Sequence, residues 1–355
     1  MVRSYLDWNA TTPLRPEARA AMAAAMDVTG NPSSVHAEGR AAKALMERAR
    51  ADLAAALGAE GADIVFTSGA TEAAALVLAG QNLSCAGIEH DAVLAWCTPG
   101  LAVDGFGRVT VPDPPRATLQ LANSETGVVQ VLPEGLWASD LTQAFGKIPF
   151  AFNWLGITAG FVSAHKLGGP KGVGALVLRR GTDLAAQLRG GGQEMGRRAG
   201  TENLIGIAGF AAAAKAAAAD LAAGGWQEVA EIRDILKSAL EYPTKDVYFP
   251  GWESYEDSGG APAQLLPNTL SVIAPGWRGE TQVMRMDLMG HAVSAGSACS
   301  SGKLRASRGL VAMGWPEAMA GAALRVSLGP GVTRDAVLRF AEDWRAAYDK
   351  HRARH

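Results

Sequence analysis

The chain has 355 residues, 48% of them hydrophobic and 19% charged, with a net charge of −2 at neutral pH. That is the composition of a globular protein with room for more than one lobe; it excludes a disordered chain, and the evenly mixed charge argues against a nucleic-acid binder. No apolar run reads as long enough to span a membrane, the first seven residues lack the apolar core of a signal peptide, and Cys85, Cys97 and Cys299 are odd in number without paired spacing, so free thiols and a cytoplasmic location are expected.

Leu6 to Pro13 reads as a short extended arm, and Pro16 to Met26 as an Ala/Met-rich helix with proline in its first turn. A loop from Gly30 to His36 leads into a helix over 36–57, with Ala42, Leu45, Met46, Ala49, Leu53 and Leu57 on one face. Asp63 to Ala74 then reads as strand, small-residue turn and helix. The unpaired N–H groups of Ala70 and Thr71, at the positive end of the helix dipole, form a phosphate site; an ordinary helix cap is the plainer alternative.

From Leu83 to Gln130 the pattern alternates strands with short connections. It places His90 at one strand end and Asn123 behind a second buried strand over 118–121. A shorter strand ends at Asp140, with Gln143 three residues on. The apolar run Gly160-Phe161-Val162 leads to Lys166 and a Gly/Pro turn. Open α/β sheets carry ligands at the carboxyl ends of their strands. Five polar residues at successive ends, His90, Asn123, Asp140, Gln143 and Lys166, point to a site. A lysine amine there is the group that forms a Schiff base with an aldehyde cofactor.

The glycine-dense loop from Gly190 to Asn203 carries Arg197 and Arg198 and is expected to shape an anion contact. Alanine-rich helix follows over 203–223, then another over 226–242. The last third reads as a second lobe: a strand over 268–273, a helix over 280–289, a small-residue loop over 293–302, a strand over 324–329 carrying Arg325, and a closing helix over 334–348. Cys85 and Cys97 sit among apolar neighbours and are expected to be buried. Cys299 lies in a Ser/Ala/Gly segment with little to pack, which suits an exposed nucleophile that travels.

Several pieces run in one family's order: Tyr5-Leu6-Asp7, Ala10 to Pro13, Gly30 to Ser34 with His36, Phe66 to Glu72, Glu89-His90, Asn123 to Gln130, Ser163 to Lys166, the Gly190 to Thr201 loop, Ser297-Ala298-Cys299 and Arg325 to Gly329. On these the chain resembles a cysteine desulfurase of the class V aminotransferase family, in the NifS/IscS-like branch with a long cysteine loop. The resemblance implies the fold type I of PLP-dependent transferases. That is an α/β fold with a mostly parallel central sheet, helices on both faces and a smaller α+β domain. Residues 13–225 would form the large domain, and residues 1–12 with 226–355 the small one carrying the cysteine loop.

The resemblance also implies roles. Lys166 would hold pyridoxal 5′-phosphate and later move the substrate's α-proton, Asp140 would pair with the pyridine N–H, Gln143 would bond the ring oxygen and His90 would stack on the ring. Ala70, Thr71, Ser163 and His165 would hold the phosphate, with Thr201 reaching the neighbouring subunit's phosphate in a homodimer. Arg325 would clamp the carboxylate of L-cysteine beside Asn123, and Cys299 would take the sulfur as a persulfide for an iron–sulfur scaffold or another acceptor. Three departures stand out: Ser124 replaces the second asparagine of the usual Asn-Asn-Glu turn, Ala164 replaces the glycine before His165, and connections in the large domain are short. Selenocysteine lyase, another class V enzyme, or a catalytically weak sulfur-relay subunit are the alternatives.

Overall fold

The computed structural model describes residues 3–241, 246–255, 262–296 and 306–354. Strands Asp63–Thr67, Gly174–Leu178, Ala159–Ser163 and Ala138–Asp140 lie side by side in that order. Gly174–Leu178 is antiparallel to both neighbours, whereas Ala138–Asp140 is parallel to Ala159–Ser163. Successive side chains of a strand point to opposite faces. Ile64, Phe66, Val162, Ala175 and Val177 therefore enter one core, and Val65, Phe161, Leu176 and Leu178 another. A sheet buried on both faces needs apolar residues at every position, which accounts for the unbroken apolar runs.

Helices Pro16–Met26, Ala37–Leu57 and Leu204–Ala222 pack together over the first core, and Ala70–Leu78 lies across the other face. His36 opens the Ala37–Leu57 helix by accepting from Gly39 N–H at 3.3 Å, and Gly58 closes it at φ 59°. A Cβ at residue 58 would stand 2.5 Å from Ala151 Cβ, so both backbone and packing require glycine there.

Three expectations change. By length and composition Leu204–Ala222 is apolar enough to cross a membrane, against the reading that no run is; half of that window is buried within the fold, with Ala211, Ala213, Ala214 and Ala217 in the core. Second, residues 118–121 form no regular strand. They are extended and buried, and Thr118 N–H reaches Ser84 O at 3.0 Å while Leu121 N–H reaches Asp140 O at 2.9 Å. Hydroxyls add to these bonds: Thr118 Oγ1 donates to Ala138 O at 3.0 Å, beside Leu119 N–H at 3.2 Å, and Ser139 Oγ donates to Leu119 O at 2.7 Å. The segment still bridges the four strands to the ribbon of Ser84–Ala86, Thr98–Val103 and Val109–Thr110. Third, His90 does not end a strand. The strand stops at Ala86, and His90 caps the single turn Asp91–Leu94 by accepting from Ala92 N–H at 3.1 Å.

The C-terminal third builds its own core. Ser294–Ala295, Ala323–Ser327 and Thr269–Ile273 form an antiparallel sheet, with Gly225–Glu241 and Arg334–Arg352 packed against each other beside it. Trp344 is 1% exposed and lies 5.7 Å from the Trp277 ring and 5.2 Å from that of Tyr348. The strand Ser4–Tyr5 pairs with His291–Ala292 in this lobe, after which Thr12 N–H reaches His165 O at 2.9 Å in the other.

The glycine-dense loop does not offer its arginines to an anion. Arg197 Nη1 pairs with Asp63 Oδ2 at 2.9 Å and Arg198 Nε with Glu72 Oε1 at 2.8 Å. Glu194, whose side chain is 1% exposed, accepts from both terminal nitrogens of Arg50 at 2.9 Å and from Phe66 N–H at 2.8 Å. These anchors hold Glu194 and Met195 at φ 48° and 60°. Such left-handed backbone costs a non-glycine residue about 1–2 kcal/mol. Glu194→Ala takes two carboxylate contacts from a largely buried guanidinium, which keeps Glu47 and Ile64 O, and leaves the buried Phe66 N–H without its acceptor. The expected loss is about 3–5 kcal/mol, read from urea unfolding; an unchanged midpoint would mean that the pair contributes nothing.

Candidate active site

Lys166 ends the single 3₁₀ turn that follows the buried strand Ala159–Ser163. Its Nζ donates to Asn9 O at 2.6 Å and Ala10 O at 2.9 Å. Asp140 ends the adjacent parallel strand, opposite Phe161, and accepts from Thr142 N–H at 2.8 Å. On the next turn Gln143, 6% exposed, donates from Nε2 to Asn9 O at 3.0 Å. Lys147, 2% exposed, donates to Gln143 Oε1 at 2.6 Å and to Asn9 Oδ1 at 2.9 Å.

The second lobe meets the same residue. Asn9 N–H donates to Ser327 Oγ at 2.9 Å, and Asn9 Nδ2 donates to Ser124 O at 3.0 Å and Thr269 Oγ1 at 2.8 Å. Arg325 Nη1 reaches the same Ser124 carbonyl at 3.2 Å, and its Nη2 pairs with Asp7 at 2.8 Å. Arg325 Nε is buried and has no partner among the described residues. Lys166, Gln143 and Arg325 are thus brought together around the arm.

The four residues expected to hold a phosphate are Ala70, Thr71, Ser163 and His165. Ala70 and Thr71 open the helix Ala70–Leu78 behind Gly69. Ser163 Oγ lies across the turn, 3.8 Å from where a Cβ on Gly69 would stand. His165 holds the arm, its backbone oxygen accepting from Thr12 Oγ1 at 2.9 Å and its Nδ1 lying 3.2 Å from Thr11 Oγ1. Ala164 fits in place of glycine because Gly169 faces it: a Cβ on Gly169 would come within 2.8 Å of Ala164 Cβ.

The charges here are lopsided. Burial, then the charges of Lys166 and Lys171, push the His165 imidazole down to about 4, so it is neutral at neutral pH. Burial, then Lys166 and Arg325, push the Lys147 ammonium well below the usual lysine range. Burial is the larger cause of both shifts and the neighbouring cations add to it; a phosphate ester and a substrate carboxylate are groups that such cations would suit. On the Asp140 side, burial raises the Glu89 carboxyl well above the usual range; Gln120 N–H opposes this, and the Asp140 charge adds to it.

Asn123 turns inward. Its Oδ1 accepts from Glu125 N–H at 2.9 Å and Thr126 N–H at 2.8 Å, and its Nδ2 donates to Ile88 O at 3.0 Å. It shapes the turn that presents Ser124 O. Thr201 is exposed, just ahead of the helix that Asn203 caps. Cys299 lies outside the described residues, while Cys85 and Cys97 are buried as expected. Sequence reasoning missed Asn9, Lys147, Asp7, Glu89 and Glu125. The spacing of Gln143 and Lys147, four apart on one turn, was a usable signal; the partners of Asn9 lie more than a hundred residues away along the chain and left none.

Glu125 ties this turn to the second lobe: its Oε2 accepts from Ser307 Oγ at 2.7 Å, and its Oε1, out of reach of solvent, has no partner among the described residues. Burial raises its pKa from 4.5 to about 7 against the opposing pull of Ser307, Arg325 and Arg308. A carboxyl whose folded pKa lies above its unfolded one leaves stability intact below the unfolded value and removes it as pH rises toward the folded one. Glu125→Gln should therefore lose less thermal stability than the parent as pH rises from 4.5 through about 7. Parallel Tm curves between about pH 4 and pH 8 would show that the carboxyl ionises freely.

A family model described as Aminotransferase class-V matches residues 4–95 and 117–340. The protein named cysteine desulfurase IscS from Dictyoglomus turgidum is 35% identical over 93% of this chain and 91% of its own length. The cysteine desulfurase of Cereibacter sphaeroides is 38% identical over 99% of this chain and 97% of its own. Among solved structures, the NifS-like protein from Rickettsia africae ESF-5 superposes with a TM-score of 0.86 at 28% identity, covering 98% of this chain and 99% of that one. Those matches take in the arm, the lysine strand and the arginine strand alike: the chain belongs to the aminotransferase class-V family.

Proposed function

We propose that this protein is a PLP-dependent cysteine desulfurase that converts L-cysteine to L-alanine and takes the sulfur onto Cys299. The observation that carries this reading is the convergence of Lys166, Gln143 and Arg325 on one arm, with Asp140 ending the strand beside the one that leads to the lysine. The full-length likeness to relatives named cysteine desulfurase supports the choice of substrate.

Lys166 is the residue to hold pyridoxal 5′-phosphate covalently. Ala70 and Thr71 N–H, Ser163 and His165 would hold its phosphate, Asp140 its ring nitrogen, Gln143 its ring oxygen and His90 its ring face. Thr201, exposed on the surface, would serve the phosphate of a second copy in a homodimer. When bound, the cofactor supplies a sink for the electrons left on the substrate's α-carbon. Arg325 holds the substrate carboxylate, with Asp7 and Ser124 O steadying its two terminal nitrogens. Lys166 Nζ moves the proton at the α-carbon, close to the Asn9 and Ala10 carbonyls that now hold it. The Cys299 thiolate attacks the substrate sulfur: a sulfur–sulfur bond forms, the carbon–sulfur bond breaks, and the carbon fragment leaves as alanine. The persulfide then serves an iron–sulfur scaffold or another sulfur acceptor.

Lys166→Ala should abolish the borohydride-reducible link to cofactor; a link that survives in that variant would move the role to another lysine, with Lys171 the nearest in sequence. Cys299→Ser should bind cofactor and cysteine, shown by the spectral change on adding cysteine, yet release no sulfide, whereas Cys85→Ser and Cys97→Ser keep activity. Wild-type turnover by Cys299→Ser, or persulfide trapped on Cys85 or Cys97, would overturn the mechanism.

A further inference from the structure

Lys147 is a buried amine that the proposed chemistry leaves without a task. Its two hydrogen-bond partners among the described residues, Gln143 Oε1 at 2.6 Å and Asn9 Oδ1 at 2.9 Å, are neutral oxygens, not carboxylates. A lysine side chain has two N–H groups to give whether or not it carries its third proton. Both bonds therefore survive the fall in its pKa that burial, Lys166 and Arg325 impose.

A carboxamide can be turned end for end at little steric cost, because its last torsion is broad and nearly twofold. Turned one way, Gln143 offers the site an N–H donor; turned the other, an acceptor. A donating amine at Oε1 decides between them. It keeps the amide oxygen on its own side and sends Nε2 to the other, where it meets Asn9 O at 3.0 Å, the carbonyl that also takes Lys166 Nζ at 2.6 Å. Asn9 Oδ1 is gripped from two sides, by Lys147 and by Asn268 Nδ2 at 3.0 Å, so the arm that receives both donors is held as well. We infer that Lys147 is a positioning residue that fixes the orientation of the Gln143 amide, holding its N–H donor toward the cofactor's ring oxygen beside Lys166. This rests on the reading of Gln143 as the ring-oxygen contact.

The test uses holoenzyme and four forms: the parent, Lys147→Met, Gln143→Leu and the double variant. The readout is the pH midpoint of the visible absorption band of the lysine-bound cofactor. Losing a hydrogen bond to the ring oxygen makes that oxygen more basic, so Gln143→Leu should raise the midpoint by about one pH unit. Lys147→Met should raise it in the same direction, and should add nothing in the Gln143→Leu background. An unmoved midpoint in Lys147→Met overturns the inference. So does a shift that persists undiminished in the double variant, since the lysine would then act by its charge and not through the amide. If Gln143→Leu itself leaves the midpoint in place, the ring-oxygen reading of Gln143 fails first and the positioning role falls with it. Should Lys147→Met not fold, Lys147→Gln, one bond shorter but polar, is scored by the same outcomes.

Discussion

The structure depends on satisfying Asn9. This residue is 1% exposed, and its amide, carboxamide and carbonyl together reach Lys147, Gln143 and Lys166 on one side and Ser124, Asn268, Thr269 and Ser327 on the other. A buried carboxamide left short of partners costs about 1–3 kcal/mol, so the arm can sit only where both lobes present their donors and acceptors together. The positions of the lysine amine and the arginine strand are thereby coupled to one short stretch of extended chain. Packing contributes too: each lobe has a core of its own, one around the four-stranded sheet and the other around the tryptophan cluster, and a smaller buried cluster joins Ala86 and Ile88 to Ile273, Leu310 and Trp315.

Electrostatics works by division of labour. Cationic groups face the side that would hold phosphate and carboxylate, and each raises the cost of protonating its neighbours. Burial, with the Asp140 charge adding to it, raises the Glu89 carboxyl well above the usual carboxylate range, against the pull of Gln120 N–H. The arginines of the glycine-dense loop are spent elsewhere: Arg197 pairs with Asp63 and Arg198 with Glu72, while the loop's Glu194 pairs with Arg50, and together these fasten the loop to the strand Asp63–Thr67 and the helices on either side of it.

Much of this was legible in the sequence because it follows from local rules. Helix ends showed where caps and periodic apolar faces coincide: Pro16–Met26 has the bounds expected, and Ala37–Leu57 lies just behind its cap, His36. Strand-end residues such as Asp140 and Lys166 followed from the alternation of elements. What stayed hidden depends on distance along the chain. The apolar, polar-tipped run at 118–121 had the composition of a strand, and its N–H groups do reach Ser84, Ala138 and Asp140, yet only isolated bridges form there. Arg197 and Arg198 looked like anion ligands until Asp63 and Glu72, each more than a hundred residues away, claimed them. Alanine in Leu204–Ala222 satisfied a membrane criterion of length and hydropathy while serving to let helices pack closely.

Ser124 stands where the family pattern has asparagine, and the contact made there uses none of its side chain. Asn9 Nδ2 and Arg325 Nη1 both donate to the Ser124 carbonyl, which Asn123 presents by bonding the turn from within. A recognition element written into the main chain is indifferent to the codon that specifies it. The position is therefore free to drift among residues the turn tolerates, and the burden of constancy passes to its neighbour Asn123, whose Oδ1 takes both N–H groups that close the turn.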